Sequence, residues 1–300
     1  MSGSKSLIDG PTAILIATAL MSFQDTVVQA SSANLPLWQL FLLRSMIAIP
    51  LIVFLIRRSW KQCLRAALAP WTLIRSILIV AMYVCFYAAL PVIDLSVVAA
   101  VYYTGPLLIV AFSALLLGDR IGRAQFFAMA VAFCGVLLVI RPDQDSFSVA
   151  ALIPLLSALL YAFAAVATRA RLAFENAWSL ILSLNIVFVV VGGCGVCILT
   201  ILQPEQSYPF LLMWWTPVGS VEILVLLTLA VISIGIHLFL ARGYQLGPMS
   251  VVAGLDFSYL GFAALWAFCL LGTLPAWPTV AGTVFIGLGG LWGLASNRAR

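Results

Sequence analysis

Two apolar stretches that lie 154 residues apart carry the same pattern and decide the fold of this chain. Residues 96–118 read SVVAAVYYTGPLLIVAFSALLLG, and residues 250–272 read SVVAGLDFSYLGFAALWAFCLLG. The two align without a gap and are identical at 7 of 23 positions, which are the SVVA at the front and the LLG at the end. Each stretch is long enough for one membrane-spanning helix. The match indicates an internal repeat, with chance similarity between two apolar segments as the alternative.

The segments that follow the two copies differ in charge, which predicts opposite directions through a membrane. The first copy leads into the basic loop DRIGR at 119–123, whereas the second leads into TLPAWP at 273–278, which carries no charge. Basic loops lie on the cytoplasmic side of a membrane protein. We therefore expect an inverted repeat, an arrangement typical of secondary transporters.

The composition requires lipid rather than water around most of the chain. Hydrophobic residues make up 64% of the 300 positions, charged residues make up 8%, and the mean hydropathy is +1.16. Soluble domains average roughly 25% charged residues, so a soluble globular protein is excluded, and the net charge of +5 is a membrane-orientation signal rather than a nucleic-acid footprint. We expect an all-α integral membrane fold whose transmembrane helices leave no room for a soluble domain. The ten expected helices cover residues 11–33, 37–56, 71–91, 95–117, 123–140, 149–169, 176–200, 221–241, 249–271 and 278–296.

The basic residues alternate between loops in the way that this helix count requires. With the N-terminus in the cytoplasm, 12 lysines and arginines fall on the inner side, 1 falls on the outer side and 2 lie within helices. One missed or additional helix would destroy this asymmetry. We therefore expect both termini in the cytoplasm. The inner residues are Lys5, Arg57, Arg58, Lys61, Arg65, Arg120, Arg123, Arg169, Arg171, Arg242, Arg298 and Arg300, the outer one is Arg141, and those within helices are Arg44 and Arg75.

A polar stripe along the first expected helix predicts that this helix faces the protein interior. Its members are three or four residues apart and so share one helical face; they are Thr18, Ser22, Asp25, Gln29 and Ser32. A charge at the bilayer centre costs about 2.5–3.5 kcal/mol, so Asp25 needs a partner or water. Arg44 lies at a matching depth in the second helix. The pair either gates or binds a zwitterionic substrate, or it pins two antiparallel helices as a structural ion pair.

A second polar level is expected nearer the cytoplasmic side. His237, the one histidine of the chain, lies close to the inner end of the eighth helix, and Asp256 lies at a similar depth in the ninth. Ser233 is one turn from His237 on the same face, which indicates a lined cavity. Because histidine titrates near neutral pH, this level could couple transport to protons. The alternative is a satisfied polar packing pair.

Aromatic side chains on several helices provide a candidate substrate surface. A tyrosine in a membrane core needs a hydrogen-bond partner, so several should face inward, with core packing as the alternative for any single one. Arg75 is a different case, because we expect it to extend to the membrane interface from the inner end of the third helix. The aromatic candidates are Tyr83, Tyr87, Tyr102, Tyr103, Tyr161, Tyr259 and Trp266.

Two short motifs receive structural interpretations. Gly289 and Gly293 form a GxxxG in the last helix, which favours internal helix packing, with a homodimer contact as the alternative. Cys194 and Cys197 have CxxC spacing, but no second ligand pair accompanies them, so we interpret them as packing residues. The expected partners are a small-molecule substrate and the lipid bilayer, for a monomer or a homodimer. No metal, cofactor or nucleic acid is expected.

One further run of residues carries a family resemblance, together with Asp25, Arg44 and the duplicated layout. It reads YTGP at 103–106 and continues as LLLGDRIGRAQFFAMAVAFCGVLLVIRP at 115–142. As an ordered set covering nearly the whole chain, these features resemble the EamA-type transporters of the drug/metabolite transporter superfamily. That family usually has a glutamate after the LxxG of each repeat, whereas Asp119 and Thr273 stand there in this chain.

The resemblance implies two inverted five-helix repeats, at 1–145 and 146–300, in the bacterial inner membrane. It also implies a central cavity lined by helices 1, 3, 4, 6, 8 and 9. We expect a secondary transporter that moves small metabolites, amino acids or related compounds, by alternating access and in the direction of export. A passive facilitator or channel, or an importer of the same family, is the alternative.

An enzyme is not expected. A membrane-embedded enzyme needs a nucleophile and a base, or a metal cluster, on facing helices. The chain has one histidine and neither an HExxH nor a GxSxG motif.

Overall fold

The structure is a computed structural model that describes residues 9–31, 35–89, 95–141, 149–204, 209–272 and 274–298. Within these ranges the chain is helical and contains no β-strand. The helices are α1 (Gly10–Ser31), α2 (Leu37–Leu55), α3 (Trp60–Ala67), α4 (Pro70–Ala89), α5 (Leu95–Tyr102), α6 (Gly105–Phe112), α7 (Arg123–Ile140), α8 (Leu152–Arg171), α9 (Ala177–Leu202), α10 (Pro209–Leu212), α11 (Ser220–Leu246), α12 (Met249–Asp256), α13 (Ser258–Leu271) and α14 (Trp277–Arg298).

The long helices lie where the apolar runs predict them. In the described part of the chain, 9 segments are long and apolar enough to cross a membrane, and they correspond to the second to tenth expected helices. The first expected helix is α1, which is 22 residues long and carries the polar stripe. The protein is therefore a multi-pass membrane protein with an all-helical fold.

One short helix was not expected. Residues 57–65 were predicted to form a basic loop, but Trp60–Ala67 is the helix α3. Cys63 and Ala67, one turn apart, are buried, while Lys61 and Arg65 are exposed. The helix forms because this spacing gives it one apolar side to pack on α9 and one basic side for the exterior.

The two repeat copies are the two discontinuous spans. Each was predicted as one continuous helix, and that prediction is wrong at one point in each copy. The first breaks at Tyr103–Thr104, between α5 and α6, and the second breaks at Phe257, between α12 and α13. Tyr103 and Phe257 are aligned positions, 154 residues apart. Pro106 contributes to the first break because its nitrogen cannot donate a helical hydrogen bond.

The identical ends of the two copies have structural roles. Gly118 and Gly272 end their spans in the left-handed conformation, with φ of 72° and 67°, a backbone position that glycine adopts without steric cost. The last turn of the first copy, Ser113–Leu117, is wound as a π-helix. At the front, the aligned Val98 and Val252 are both fully buried. The matching residues therefore cap or pack the helix.

The helices pack in matched sets when the first five spans are compared in order with the last five. In this comparison α1 corresponds to α8, α2 to α9, α4 to α11 and α7 to α14. The broken pair α5/α6 corresponds to the broken pair α12/α13. Helix α1 packs against α11, and its counterpart α8 packs against α4; likewise α1 contacts α13, and α8 contacts α6. The pairs α2/α9 and α7/α14 join a helix to its own counterpart.

Glycines allow α7 and α14 to approach at backbone distance. A Cβ atom at Gly135 would lie 2.5 Å from the Gly282 carbonyl oxygen, and one at Gly289 would lie 2.6 Å from the Ala128 carbonyl oxygen. Gly289 belongs to the GxxxG motif, so this glycine is used for packing within the chain, as the first interpretation of the motif predicted. Small residues are the usual means of close helix contact in membranes.

We expect Gly282→Val to destabilise the protein, because the nearest atom to the added Cβ is the Gly135 carbonyl oxygen at 2.5 Å, a backbone atom that cannot rotate away. Overpacking of this kind costs about 1–3 kcal/mol. Gly287→Val on the same helix is the matched control, since a Cβ there meets nothing within 4 Å. Thermal melting of the detergent-solubilised variants measures the difference, and equal melting of the two would contradict this packing.

Candidate functional site

A central cavity lies between the two broken spans and four further helices, α1, α4, α8 and α11. In order of span these are the first, third, fourth, sixth, eighth and ninth. The cavity volume is about 30 Å³, room for roughly two water molecules, so a metabolite enters only if the helices separate. The lining residues are Met21, Ile79, Met82, Tyr83, Tyr102, Tyr103, Pro106, Tyr161, His237, Leu240, Asp256 and Tyr259.

Seven of the candidate residues named from the sequence contribute to this lining: Tyr83, Tyr102, Tyr103, Tyr161, His237, Asp256 and Tyr259. Asp25, Arg44, Tyr87, Ser233 and Trp266 do not line it. The side chain of Gln29 lies outside the described residues, as does Ser32. The apolar lining residues Met21, Ile79, Met82, Pro106 and Leu240 had not been singled out, because apolar residues in an apolar helix give no signal.

Asp256 is the buried acid of the cavity. It is the last residue of α12, where the helix dipole disfavours a negative charge. Two hydroxyl groups donate to its Oδ2, from Tyr161 at 2.7 Å and from Tyr244 at 3.2 Å. The same two hydroxyl groups are 3.0 Å apart. This triangle joins α8, α11 and α12, and it fixes the carboxyl group at the point where the ninth span breaks.

Tyr244 was not among the candidate residues named from the sequence. It lies seven residues after His237 on α11, which places the two on one helical face. That spacing was the available signal.

Asp25 is the exposed acid of the site. It accepts a hydrogen bond from the Tyr259 hydroxyl at 2.6 Å, and its side chain is exposed. Tyr259 lies in the first turn of α13, just after the break, and also lines the cavity. A carboxyl group therefore lies on each side of the break in the ninth span. Asp256 belongs to the helix before the break, and Asp25 is bound by Tyr259 of the helix after it.

Arg44 does not form the direct ion pair with Asp25 that their depths allowed. Its guanidinium lies 4.9 Å from the centre of the Phe188 ring, and its buried Nε has no hydrogen-bond partner in the part of the chain that the structure describes. Asp25 is instead bound by Tyr259 from α13. The Phe188 ring that Arg44 contacts lies 5.8 Å from the ring of Tyr83, centre to centre.

His237 and Asp256 both line the cavity but do not bond each other. The acid is satisfied by the two tyrosines, whereas the buried Nδ1 of His237 has no partner among the described residues. Ser233 donates to the backbone carbonyl of Ala230 at 2.9 Å and lies outside the cavity. The satisfied pair that we considered for His237 and Asp256 is therefore not formed, and Ser233 has a local role in α11.

The aromatic candidates divide into cavity residues and packing residues. Tyr83 stacks on Tyr87, with ring centres 6.3 Å apart, and Tyr102 lies 6.0 Å from Tyr161. Trp266 donates to the Ala19 carbonyl at 3.0 Å, which holds α13 on α1. For Trp266 the packing alternative therefore applies in this conformation.

Arg75 does not extend to the membrane interface as expected. Its side chain is 2% exposed, and its Nε donates to the Thr168 hydroxyl at 2.8 Å. The side chain turns inward because Thr168, on α8 across the interface with α4, offers an acceptor. The sequence interpretation of this residue was wrong.

A buried glutamine ties the connection between α8 and α9 to the end of α11. The Gln245 amide nitrogen donates to the carbonyls of Leu172 and Glu175 at 2.6 and 2.9 Å. The Arg169 guanidinium donates to the Gln245 carbonyl at 2.5 Å. These hydrogen bonds join the ends of α8 and α11 at the end of the molecule that carries the basic residues.

We expect Gln245→Leu to loosen that connection, because two carbonyl groups lose their donor. An unpaired buried polar group costs about 1–3 kcal/mol, which corresponds to about 5- to 150-fold faster hydrogen exchange of the connection, residues 172–176, through local opening. Gln62→Leu is the control, since Gln62 is exposed on α3. Unchanged exchange in the Gln245 variant would contradict the tie.

The cysteines have no redox or metal arrangement in this structure. All 6 are unbonded, and Cys194 and Cys197 are exposed on α9, where they face the exterior rather than pack inside. No group of three or more metal-ligating side chains occurs in the ranges that the structure describes.

Comparison with known proteins gives results that agree with this geometry. Residues 10–141 match the EamA-like transporter family. The chain is 28% identical over 281 residues to the pseudopaline exporter CntI of Pseudomonas aeruginosa (strain UCBPP-PA14), which covers 93% of this chain and 94% of that protein. A riboflavin transporter of Vibrio cholerae serotype O1 is 22% identical over 272 residues, covering 89% and 87%. A solved crystal structure has the same fold, with a TM-score of 0.75 at 20% identity, covering 96% and 98%.

Proposed function

We propose that this chain is a transporter of the EamA-like family, whose model its residues 10–141 match, and that it exports small zwitterionic metabolites, amino acids or related compounds, by alternating access. Its family and its relatives are transporters, so the chain is a membrane transporter of small molecules. The direction, the mechanism and the substrate class are the proposal. The single observation that carries it is the cavity at the broken ninth span, into which tyrosines hold the carboxyl group of Asp256.

The proposed architecture is ten transmembrane helices in two inverted five-helix repeats, at 1–145 and 146–300. Three observations support it. The aligned copies break at aligned positions, both end at a left-handed glycine, and the helix pairs come in matched sets. In this architecture α1 is the first span and completes the count of ten. Two members of its polar stripe, Thr18 and Asp25, bond to Ser258 and Tyr259 of α13 rather than facing lipid.

The proposed substrate site combines both signs of charge. Asp25 and Asp256 bind an amino group, Arg44 binds a carboxylate, and the tyrosines of the cavity contact the remainder of the substrate. The lack of a direct Asp25–Arg44 pair supports this assignment, because each charged group has capacity left for a ligand. The half-helix ends at Asp256 and Tyr259 are the kind of feature that transporters use at their binding sites.

We place the protein in the bacterial inner membrane with both termini in the cytoplasm. The support is the distribution of lysine and arginine, with 12 on the inner side and 1 on the outer side. Reporter fusions at residues 203 and 300 test it, because a periplasmic reporter should be active only at the first position.

Transport by reconstituted protein tests the function. Proteoliposomes are loaded with a panel of amino acids and related metabolites, including pseudopaline and riboflavin because relatives carry those names. We expect saturable efflux and counterflow of at least one zwitterionic compound. Movement without counterflow would indicate the channel alternative, and uptake driven in the opposite direction in cells would indicate an importer. Absence of transport over the whole panel would overturn the proposal.

We do not assign an enzymatic activity, because the polar groups that meet in the cavity are carboxyl, phenol and a single imidazole. Without a nucleophile activated by a base, this set suits binding rather than bond cleavage.

A further inference from the structure

Arg75 is a buried cation that the proposed site does not use. It lies in the first turns of α4, and Ile79, one turn further along, lines the cavity. Its partner Thr168 lies in the last turn of α8, next to the basic residues Arg169 and Arg171. Arg75 therefore lies between the cavity and the end of the molecule that carries the basic loops.

The polar contacts of Arg75 are incomplete. The Thr168 hydroxyl accepts from Nε at 2.8 Å and donates to the Ala164 carbonyl at 2.7 Å, so this hydroxyl orients the guanidinium firmly. In the part of the chain that the structure describes, the terminal nitrogens Nη1 and Nη2 have no hydrogen bond and no carboxylate. Arginine stays protonated in proteins, and a buried charge without a partner is costly.

His237 extends this arrangement into the cavity. It lines the same cavity as Ile79, which is one turn from Arg75 on α4. Its buried Nδ1 has no partner among the described residues. A ligand group between Arg75 and His237 would therefore meet a guanidinium fork and an imidazole nitrogen. The fork matches the two oxygens of a carboxylate, which it binds with two parallel hydrogen bonds.

We propose that Arg75, oriented by Thr168 and assisted by His237, binds a carboxylate of the substrate at the basic-loop end of the cavity. The proposal rests on the transport function above and adds a property to it, because Arg44 already provides one site for a carboxylate. Substrates with two carboxylates are then preferred over substrates with one. For an exported compound, Arg75 is also the buried cation between the basic end of the molecule and the cavity.

The two arginines lie at different levels. Arg44 contacts Phe188, whose ring lies 5.8 Å from that of Tyr83, and Tyr83 follows Arg75 by eight residues on α4. Eight residues of α-helix rise about 12 Å. A compound of dipeptide size can therefore approach both cations, whereas a single amino acid contacts one at a time.

Matched pairs of probes that differ by one carboxylate test the proposal. The pairs are glutamate with glutamine, and alanylglutamate with alanylglutamine. Binding to the full chain in lipid nanodiscs is measured by thermal shift and by competition. For the wild-type protein we expect alanylglutamate to bind about tenfold more tightly than alanylglutamine, as for one charged hydrogen bond. Glutamate and glutamine should bind alike, because a single amino acid contacts one arginine at a time. Arg75→Gln should remove this preference and leave binding of the amide member unchanged.

Further variants separate a binding role from a structural one. Arg75→Lys should keep part of the acid preference, and Thr168→Val should weaken it while leaving the charge in place. Arg242→Gln is the control, since Arg242 is exposed near the same end of α11. If Arg75→Gln does not fold, the Thr168 variant carries the test.

Equal binding of alanylglutamate and alanylglutamine by the wild-type protein, or an acid preference that survives in Arg75→Gln and Thr168→Val, overturns the proposal. Failure to bind any of the four probes also overturns it. The proposed function fails separately, when no zwitterion of the metabolite panel is transported.

Discussion

Replacing Asp25 by asparagine is expected to reduce transport by at least about 30-fold while leaving expression and melting temperature close to those of the wild-type protein. The side chain is exposed, and its contact is one hydrogen bond from Tyr259. Asparagine can accept that bond through its amide oxygen, so the fold loses little. What is lost is the charge, and removing one partner of a charged contact costs about 2–5 kcal/mol of binding, which is at least about 30-fold.

Initial rates in proteoliposomes measure this effect, with Asp119→Asn as the control. Asp119 is an exposed acid in the loop after α6, far from the site in the sequence and outside the cavity lining. Tyr259→Phe gives the intermediate case, because it keeps the carboxyl group but removes the bond that holds it. An Asp25→Asn variant that transports at the wild-type rate would make the acid structural.

The helices of this fold follow from the sequence because a span needs a run of apolar residues, and such a run is visible without knowing its neighbours. The breaks in the two copies differ in this respect. Gly105 and Pro106 signal the first break, since proline cannot continue the hydrogen-bond ladder. The second break falls at Phe257 and Ser258, which are compatible with a continuous helix, so only the alignment with the first copy could have predicted it.

Side-chain partners were the least predictable part of the site. Helix rise predicts matching depths for Asp25 and Arg44, but depth leaves the direction of each side chain open. Asp25 bonds to Tyr259 and Arg44 contacts Phe188, and both of these partners lie on other helices. Arg75 shows the same limit, because a long side chain near a helix end extends to the interface unless a neighbour such as Thr168 offers a bond that only the assembled fold contains.

The second large effect is expected for Asp256. Asp256→Asn should abolish measurable transport, because this is the carboxyl group that the fold aims into the cavity, and asparagine keeps its shape without its charge. Stability should fall by only about 0.5–1.5 kcal/mol, the usual net value of one hydrogen bond, since the amide oxygen still accepts from Tyr161 and Tyr244. Asp256→Leu should be less stable, because it leaves both buried hydroxyls with only each other as partners.

Single and double variants with Tyr244→Phe show how the carboxyl group works. If the tyrosines act only by orienting Asp256, Tyr244→Phe weakens substrate binding in the wild-type background and has no further effect on binding in the Asp256→Asn background. This non-additivity is the signature of two groups in one network. Tyr87→Phe is the matched control, a tyrosine of α4 outside the cavity lining. Normal transport by Asp256→Asn would show that the substrate binds without this acid, and it would move the site toward Asp25 and Arg44.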